Sequence, residues 1–159
     1  MHNAPSPIQI RPARASDAPT IADFNQRMAR ETEDRALDAA RLSQGVQALL
    51  RDPAKGSYFV AEVQGEVAGQ LMLTYEWSDW RNGNFWWIQS VYVRPEFRRR
   101  GVFKALFQHV SQLARQQPDV CGLRLYVDKH NRQAHAVYAQ LGMKPTRYEV
   151  FEWDFVLPG

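Results

Sequence analysis

Residues 85–93 form an almost continuously apolar run, which only Gln89 and Ser90 interrupt. A strand with one face in water alternates apolar and polar residues, whereas a strand covered on both faces reads as a continuous hydrophobic run. The run therefore predicts a central strand with other elements packed on either side. Pro95 ends it, because proline has no N–H to donate to a sheet. The fold class that follows is α/β.

The remaining periodicities place further elements around this strand. Alternating residues predict strands, and apolar residues three and four apart predict helices. The predicted order is a strand at 8–14, helices opening near residue 16 and closing at 53, strands at 58–63, 67–77 and 85–93, a helix after 101, a strand at 123–127, a helix from 131 to 142, and a strand-like tail at 147–157. With 159 residues the chain has room for one core. We expect one domain over residues 7–159, preceded by a disordered lead of residues 1–6.

Composition narrows the classes of function. The single cysteine, Cys121, excludes an intramolecular disulfide and a multi-cysteine metal site, and the histidines lack metal-like spacing, so no metal is expected. No apolar run approaches the ~20 residues of a membrane span, and the first residues lack the features of a signal peptide. A soluble cytoplasmic protein without membrane contact is the expectation. The net charge of +3 argues against a nucleic-acid surface, although the arginines at 98–100 raise that option.

The loop after the central strand is the most informative segment for function. Arg98, Arg99, Arg100 and Gly101 lead from the strand into the next helix. A helix start presents unpaired backbone N–H groups and partial positive charge, and together with arginines it suits a pyrophosphate. The alternative is a solvated basic turn. The segment is neither a Walker loop nor a dinucleotide fingerprint, because the spaced glycines of both are absent.

This loop resembles the acetyl-CoA loop of the GNAT superfamily of N-acetyltransferases. The family pattern is Arg or Gln, two residues, Gly, one residue, then Gly or Ala; Arg98 and Gly101 match it, and Phe103 departs from the small residue. The resemblance implies acetyl-CoA as cosubstrate, with its pantetheine arm paired to the edge of the central strand. The implied cofactor-binding residues are Val91, Tyr92, Val93, Arg98, Arg99, Arg100, Gly101, Val102, Phe103, Lys104 and Asn131.

A second segment supports the same family. Asn131 and Tyr138 are seven residues apart, about two helical turns, so they fall on one helix face. In the GNAT family the equivalent Asn contacts the pantetheine, and the Tyr protonates the departing thiolate; a lone Tyr on a helix is otherwise usually a core residue. The family fold implies a mixed, mostly antiparallel sheet of about six to seven strands, about four helices, and central strands that splay apart.

The base that removes the amine proton is less evident. Related polyamine acetyltransferases have a glutamate where this sequence has Gln89, which cannot act as a base. If Asn82 and Gly83 form a two-residue turn, counting outward pairs Glu76 with Gln89, so Glu76 could supply the carboxylate. An exposed strand Glu is the alternative. Glu31 and Glu33 lie where the family places the acceptor cleft, and with Gln89 they are the predicted substrate-binding residues; a solvated charged loop is equally compatible.

These observations predict an acyltransferase that moves acetyl from acetyl-CoA to the primary amine of a small molecule by direct transfer in a ternary complex. The sheet is most similar in appearance to the spermidine/spermine type. A protein lysine or N-terminal acetyltransferase and a non-catalytic acyl-CoA sensor are the alternatives. A homodimer through the C-terminal strands is possible, since such dimers are common among similar proteins.

Overall fold

The computed structural model describes residues 6–157, which divide into two compact units, the first ending at Tyr126 and the second beginning at Val127. The predicted disordered lead falls, except for Ser6, outside the described residues. The expectation of one domain over 7–159 stays a prediction. None of the helices in the described part of the chain has the length and apolarity needed to cross a membrane.

The first unit is built on one five-stranded sheet with the strand order β1-β2-β3-β4-β5. The strands are β1 (Ile8–Pro12), β2 (Ser57–Val63), β3 (Glu66–Ser78), β4 (Gly83–Val93) and β5 (Val120–Leu125). The first three pairings are antiparallel, and β4 pairs with β5 in parallel. The predicted mixed, mostly antiparallel α/β sheet is confirmed. The predicted count of six to seven strands is too high.

Four helices complete the described fold, as predicted: α1 (Ala18–Glu33), α2 (Ala39–Arg51), α3 (Val102–Gln116) and α4 (Arg132–Gln140). Pro19 fits the first turn of α1, where the missing N–H costs nothing. The Asp38 side chain accepts from the Arg41 backbone N–H at 2.7 Å and so caps α2. Helix α1 continues through the charged residues at 30–33, and Asp34 ends it in a left-handed conformation (φ 48°).

The sheet of the first unit is packed on both faces, as the apolar run in β4 predicts. On one face Ile21 of α1 and Val46 of α2 form a buried cluster with Tyr58 of β2. On the other face α3 packs against the sheet, and the Phe59 ring lies 5.4 Å from the His109 ring. Full burial of side chains such as these stabilises a fold by roughly 1.5–3 kcal/mol each. These two layers fix the position of β4 between them.

The hairpin between β3 and β4 differs from the prediction. The turn is a four-residue loop at 79–82, and Ser78 pairs with Gly83. The Asp79 side chain accepts from the Trp80 backbone N–H at 2.9 Å, and only Asn82 takes a left-handed φ (48°). A two-residue type I′ turn needs positive φ at both central positions, and Gly83 instead begins the strand.

The corrected register separates two residues that the sequence paired. Glu76 lies opposite Phe85, and Gln89 lies opposite Met72. The predicted Glu76–Gln89 pairing is therefore wrong by four residues, about 13 Å along the strand. Because side chains alternate with a period of two, the even offset still leaves both residues on the same face of the sheet.

The C-terminal tail was predicted to be strand-like, and within the described residues 147–157 it contains no strand. Its apolar side chains are exposed, Phe151 at 94% and Trp153 at 82%. Alternation of apolar residues does not by itself produce a strand, because the backbone N–H and C=O groups of a strand also require a neighbouring strand to pair with. The possible dimer through this region stays a prediction.

Candidate active site

A β-bulge interrupts β4 at Ser90. The register shifts between Gln70 and Met72 of β3, so that Ser90 and Val91 both lie opposite Leu71. Ser90 has a left-handed φ of 50°, which is uncommon for a residue with a Cβ. A bulge of this kind bends the strand and increases its twist.

Beyond the bulge, β4 loses its neighbour on one side. β5 pairs with β4 only from Asn84 to Ile88, whereas β3 continues to pair with β4 as far as Val93. Within the described strands, the edge of β4 at 89–93 that faces away from β3 is unpaired. This unpaired backbone edge is the kind that a polar, extended ligand can pair with, and the divergence of the two central strands stays a prediction.

The segment after β4 forms a turn with two left-handed residues. Arg99 (φ 62°) and Gly101 (φ 81°) both adopt left-handed conformations, and α3 begins at Val102 without a side-chain cap. Turns of this type direct successive backbone N–H groups toward one point. A Cβ added at Gly101 would meet nothing within 4 Å, so the protein leaves open space in front of this helix start.

The predicted cofactor residue Arg98 contacts the predicted substrate residue Glu31. The Arg98 Nη2 lies 2.7 Å from the Glu31 Oε2, and the Arg98 Nε donates to the Val93 carbonyl at 2.8 Å. The Tyr92 hydroxyl donates to the other Glu31 oxygen at 3.2 Å. Burial, followed by the negative charge of Glu31, raises the pKa of Tyr92 above its usual value of 10. Glu33 is not part of this group: it is exposed, and its partner Arg35 is 4.0 Å away.

The other predicted loop residues surround the helix start. Arg99, Arg100 and Lys104 are exposed, and the Arg100 guanidinium lies 5.6 Å from the centre of the Phe97 ring. Phe103, which departs from the family pattern, is half-buried with its ring 6.1 Å from that of Phe107. The loop therefore presents positive charge to solvent at the start of α3.

Gln89 faces the same side of the sheet as a group of polar and aromatic residues. Its Nε2 donates to the Thr74 hydroxyl at 2.5 Å. Further along this face, Glu76 forms an ion pair with Arg124, whose guanidinium lies 3.6 Å from the centre of the Phe85 ring. Glu76 is thus held by Arg124 rather than by Gln89.

Sequence reasoning missed Thr74 and Arg124, whose position follows from strand pairing. It also missed Gln70, which is fully buried in β3 and donates to the Ser90 carbonyl at 3.1 Å. A signal for Gln70 was present: it is a single amide side chain within the otherwise apolar run at 67–73. No sequence pattern links residues 124 and 76.

The second unit contains the other predicted site residues. The Asn131 Oδ1 accepts from the Ala134 backbone N–H at 3.0 Å and caps α4, and Gly142 (φ 90°) follows its end, as predicted. Tyr138 is half-buried on α4, and burial raises the pKa of its phenol above 10. The phenol is therefore protonated at neutral pH and can act as a proton donor.

An unpaired strand edge, with a basic loop and an uncapped helix start after it, is an arrangement that suits an acyl-CoA-dependent acyltransferase. The chain belongs to the Acetyltransferase (GNAT) family, whose sequence model matches residues 18–143.

Individual relatives agree with this family. A possible acetyltransferase from Clostridium difficile 630 has a similar structure (TM-score 0.87), with 48% identity over 94% of this chain and 99% of that one. An uncharacterized N-acetyltransferase, YhfO, from Bacillus subtilis (strain 168) is 31% identical over 85% of this chain and 89% of that protein. The thialysine N-epsilon-acetyltransferase of Caenorhabditis elegans is 32% identical over 50% of this chain, and the matched segment spans only 49% of that enzyme's length.

Proposed function

We propose that this protein is an N-acetyltransferase that moves the acetyl group of acetyl-CoA onto the primary amine of a small molecule. The observation that carries the proposal is the unpaired β4 edge at 89–93, which is followed, after one turn of 3-10 helix at Pro95–Phe97, by the Arg98–Gly101 turn and the uncapped start of α3. This arrangement offers backbone groups to an extended arm and a positive helix end to a diphosphate.

The residues present fit acetyl-CoA. The backbone groups of Val91 and Val93 would hold the pantetheine arm, and the N–H groups of Val102, Phe103 and Lys104 would hold the diphosphate together with Arg98. The open space in front of Gly101 accommodates the phosphates without a Cβ in the way. Acetyl-CoA supplies an acetyl group activated as a thioester.

Groups of the protein itself would stabilise the charge that develops during the reaction and would donate the proton that it needs. A backbone N–H of β4 polarises the carbonyl that is attacked, as an oxyanion-hole donor does. Tyr138 donates a proton to the departing sulfur, a role that follows from the family resemblance and from the raised pKa of its phenol. Asn131, the cap of α4, is the second residue assigned to the cofactor through that resemblance.

The amine must lose a proton before it attacks, because a free alkylamine is mostly protonated at pH 7. Glu76 was predicted to accept that proton because it was expected to lie opposite Gln89. In the observed β3–β4 register it lies opposite Phe85 instead. Glu76 stays on the Gln89 face with 43% of its side chain exposed. The Glu76→Gln variant tests it: a base role predicts loss of the acidic limb of the pH–rate profile, and an unchanged profile assigns proton removal to water.

The acceptor would lie along the face of the sheet that carries Gln89, Thr74 and the Glu76–Arg124 pair. Trp87 stacks on Tyr126 on this face with ring centroids 4.4 Å apart, which provides an aromatic wall. The name of the C. elegans relative, a thialysine N-epsilon-acetyltransferase, supports a small amine of the amino-acid kind. A polyamine of the spermidine type is the narrower alternative from the sequence.

The test is the release of free CoA thiol from acetyl-CoA with a panel of amines that contains lysine analogues, polyamines and a lysine-bearing peptide. We expect turnover with at least one small amine and slower turnover with the peptide. Faster turnover with the peptide would establish the protein-acetyltransferase alternative. CoA binding without thiol release from any member would establish the sensor.

A further inference from the structure

A chain of buried polar side chains lies under the bulge in β4. The Gln70 Nε2 donates to the Asn25 Oδ1 at 2.9 Å, and the Asn25 Nδ2 donates to the Tyr58 hydroxyl at 3.2 Å. The relative exposures of these three residues are 0%, 5% and 5%. Helix α1 and strand β2 are thereby linked to β3 by hydrogen bonds that no solvent reaches. We call Gln70, Asn25 and Tyr58 the buried amide chain.

Two members of this chain hold Ser90. The Gln70 Nε2 also donates to the Ser90 carbonyl at 3.1 Å, and the Ser90 side chain is close enough to the Tyr58 hydroxyl to lower the pKa of that phenol, against the larger effect of burial. Ser90 is the residue with the left-handed φ of 50° at the bulge. Strained backbone of this kind persists only where the surroundings fix it, and it concentrates at functional sites. The buried amide chain is what fixes it here.

The buried amide chain has a cost in folding stability that packing alone does not explain. Within the described residues, the Gln70 Oε1 is fully buried and has no hydrogen-bond partner. A buried polar atom without a partner destabilises the folded state, and an apolar side chain of similar shape avoids that penalty. An amide at this position therefore indicates a role other than stability.

The planar peptide that follows Ser90 shows what that role is. In a trans peptide the carbonyl and the next N–H point in opposite directions. Because the Ser90 carbonyl is directed toward the Gln70 side chain, the Val91 N–H is directed away from that side chain. The orientation of this one N–H is thus set by a side chain on the neighbouring strand.

We infer that Gln70 is a positioning residue for acetyl transfer: with Asn25 and Tyr58 it locks the Ser90–Val91 peptide so that the Val91 N–H faces the thioester carbonyl. This inference rests on the proposed function. Gln70 contacts neither substrate, and it acts through the backbone of β4.

The first test replaces Gln70 by Met, which keeps the length of the side chain and removes the donor. We expect kcat to fall by about tenfold or more, since a misplaced oxyanion donor costs about 10²–10³ when lost completely. The dissociation constant for CoA should rise by a smaller factor than kcat falls, because the turn at Arg98–Gly101 is untouched and only one N–H of the edge proposed to hold the pantetheine arm moves. The inference is overturned if Gln70→Met turns over at the wild-type rate.

A matched control separates positioning from general destabilisation. Val110 is fully buried on α3, on the other face of the sheet, and Val110→Ala lowers the melting temperature without touching the buried amide chain. We expect this variant to keep wild-type kcat at temperatures well below its melting point. An equal loss of kcat in both variants would assign Gln70 a purely structural role and overturn the inference.

The conservative variant Gln70→Glu adds a pH-dependent measurement that would not change if the role of Gln70 were purely structural. In Gln70→Glu the buried carboxyl favours its neutral form, which can donate one hydrogen bond. We expect its kcat, as a fraction of the wild-type value at the same pH, to rise as the pH is lowered. A ratio that does not change with pH contradicts the positioning role.

The last measurement does not depend on turnover. In ¹⁵N–¹H spectra the Ser90 and Val91 cross-peaks should move or broaden in Gln70→Met and stay in place in Val110→Ala. If the wild type releases no thiol with any amine, the proposed function fails while these spectra still show whether Gln70 sets the peptide. Unmoved cross-peaks in Gln70→Met overturn the inference even if the wild type is active.

Discussion

The Arg98 guanidinium and the Glu31 carboxylate, 67 residues apart in the chain, lie 2.7 Å from each other. The pair joins helix α1 to the turn proposed to bind the diphosphate. Both side chains are more than 40% exposed, so the pair contributes at most about 1 kcal/mol to stability. The pair matters for ligand binding instead, because Glu31 neutralises the charge of Arg98, which is proposed to contact the diphosphate.

We therefore predict that Glu31→Gln tightens CoA binding by about two- to fivefold, because an exposed ion pair of this strength no longer competes for Arg98. The measurement is isothermal titration with CoA. Glu33→Gln is the control, since Glu33 is exposed at the same helix end and does not contact Arg98; it should leave the affinity unchanged. Unchanged CoA affinity in Glu31→Gln, with a raised KM for the amine, would instead support the acceptor-binding role predicted from the sequence.

Gly101→Ala should weaken CoA binding about tenfold or more. The left-handed φ of 81° disfavours a side chain by roughly 1–2 kcal/mol, and the added Cβ enters the space in front of the helix start. Gly65 provides a matched control, because its φ is 79° and it too has nothing within 4 Å of an added Cβ. Both variants should lose similar stability in urea melts, and only Gly101→Ala should lose CoA affinity. Equal CoA affinities in the two variants would contradict the assigned site.

The sequence sufficed for those parts of this fold that depend on local patterns. The apolar run of β4, the helix start after Gly101 and the left-handed Gly142 that follows α4 are each set by residues close in the chain. The Asn-Gly pair did not predict the hairpin register, because Gly83 pairs within the strand and the turn is a four-residue loop at 79–82. The Glu31–Arg98 pair and the contact between Gln70 and Ser90 arise from packing between distant segments, which no spacing in the sequence records.

Tyr138→Phe should reduce kcat by about 10²–10⁴ and leave CoA affinity unchanged, as expected for loss of a general acid. Because burial raises the pKa of Tyr138 above 10, the phenol stays protonated up to that pH. Tyr148→Phe, at an exposed tyrosine of the same unit, is the control for steady-state assays. A Tyr138→Phe enzyme with wild-type kcat would remove this residue from the mechanism.

Asp17 should make the fold sensitive to acid. Arg11 donates two hydrogen bonds to its carboxylate, at 2.7 and 3.0 Å, and these chiefly lower the pKa of Asp17 below 3.8. A lowered pKa stabilises the fold at pH values above 3.8, and this stabilisation is lost as the pH falls through the lowered value. In urea melts at pH 7, Asp17→Asn should lose roughly 2–4 kcal/mol and should show a flatter acid dependence.

Asp23→Asn is the control for this effect, because Asp23 forms an exposed pair with Arg27 on α1. Its loss should be within about 0.5 kcal/mol at pH 7. If both variants unfold at the same urea concentration, the Arg11–Asp17 pair is not the stabilising contact described here.

The turn from Arg98 to Gly101 and the start of α3 are proposed to bind a diphosphate, and titration of the wild-type protein with CoA and with pantetheine measures this binding. Pantetheine lacks the diphosphate and the nucleotide. We expect CoA to bind at least about 100-fold more tightly than pantetheine, and added salt to reduce the difference in affinity because it screens the arginines. Equal affinities for the two ligands would show that the turn does not bind the diphosphate.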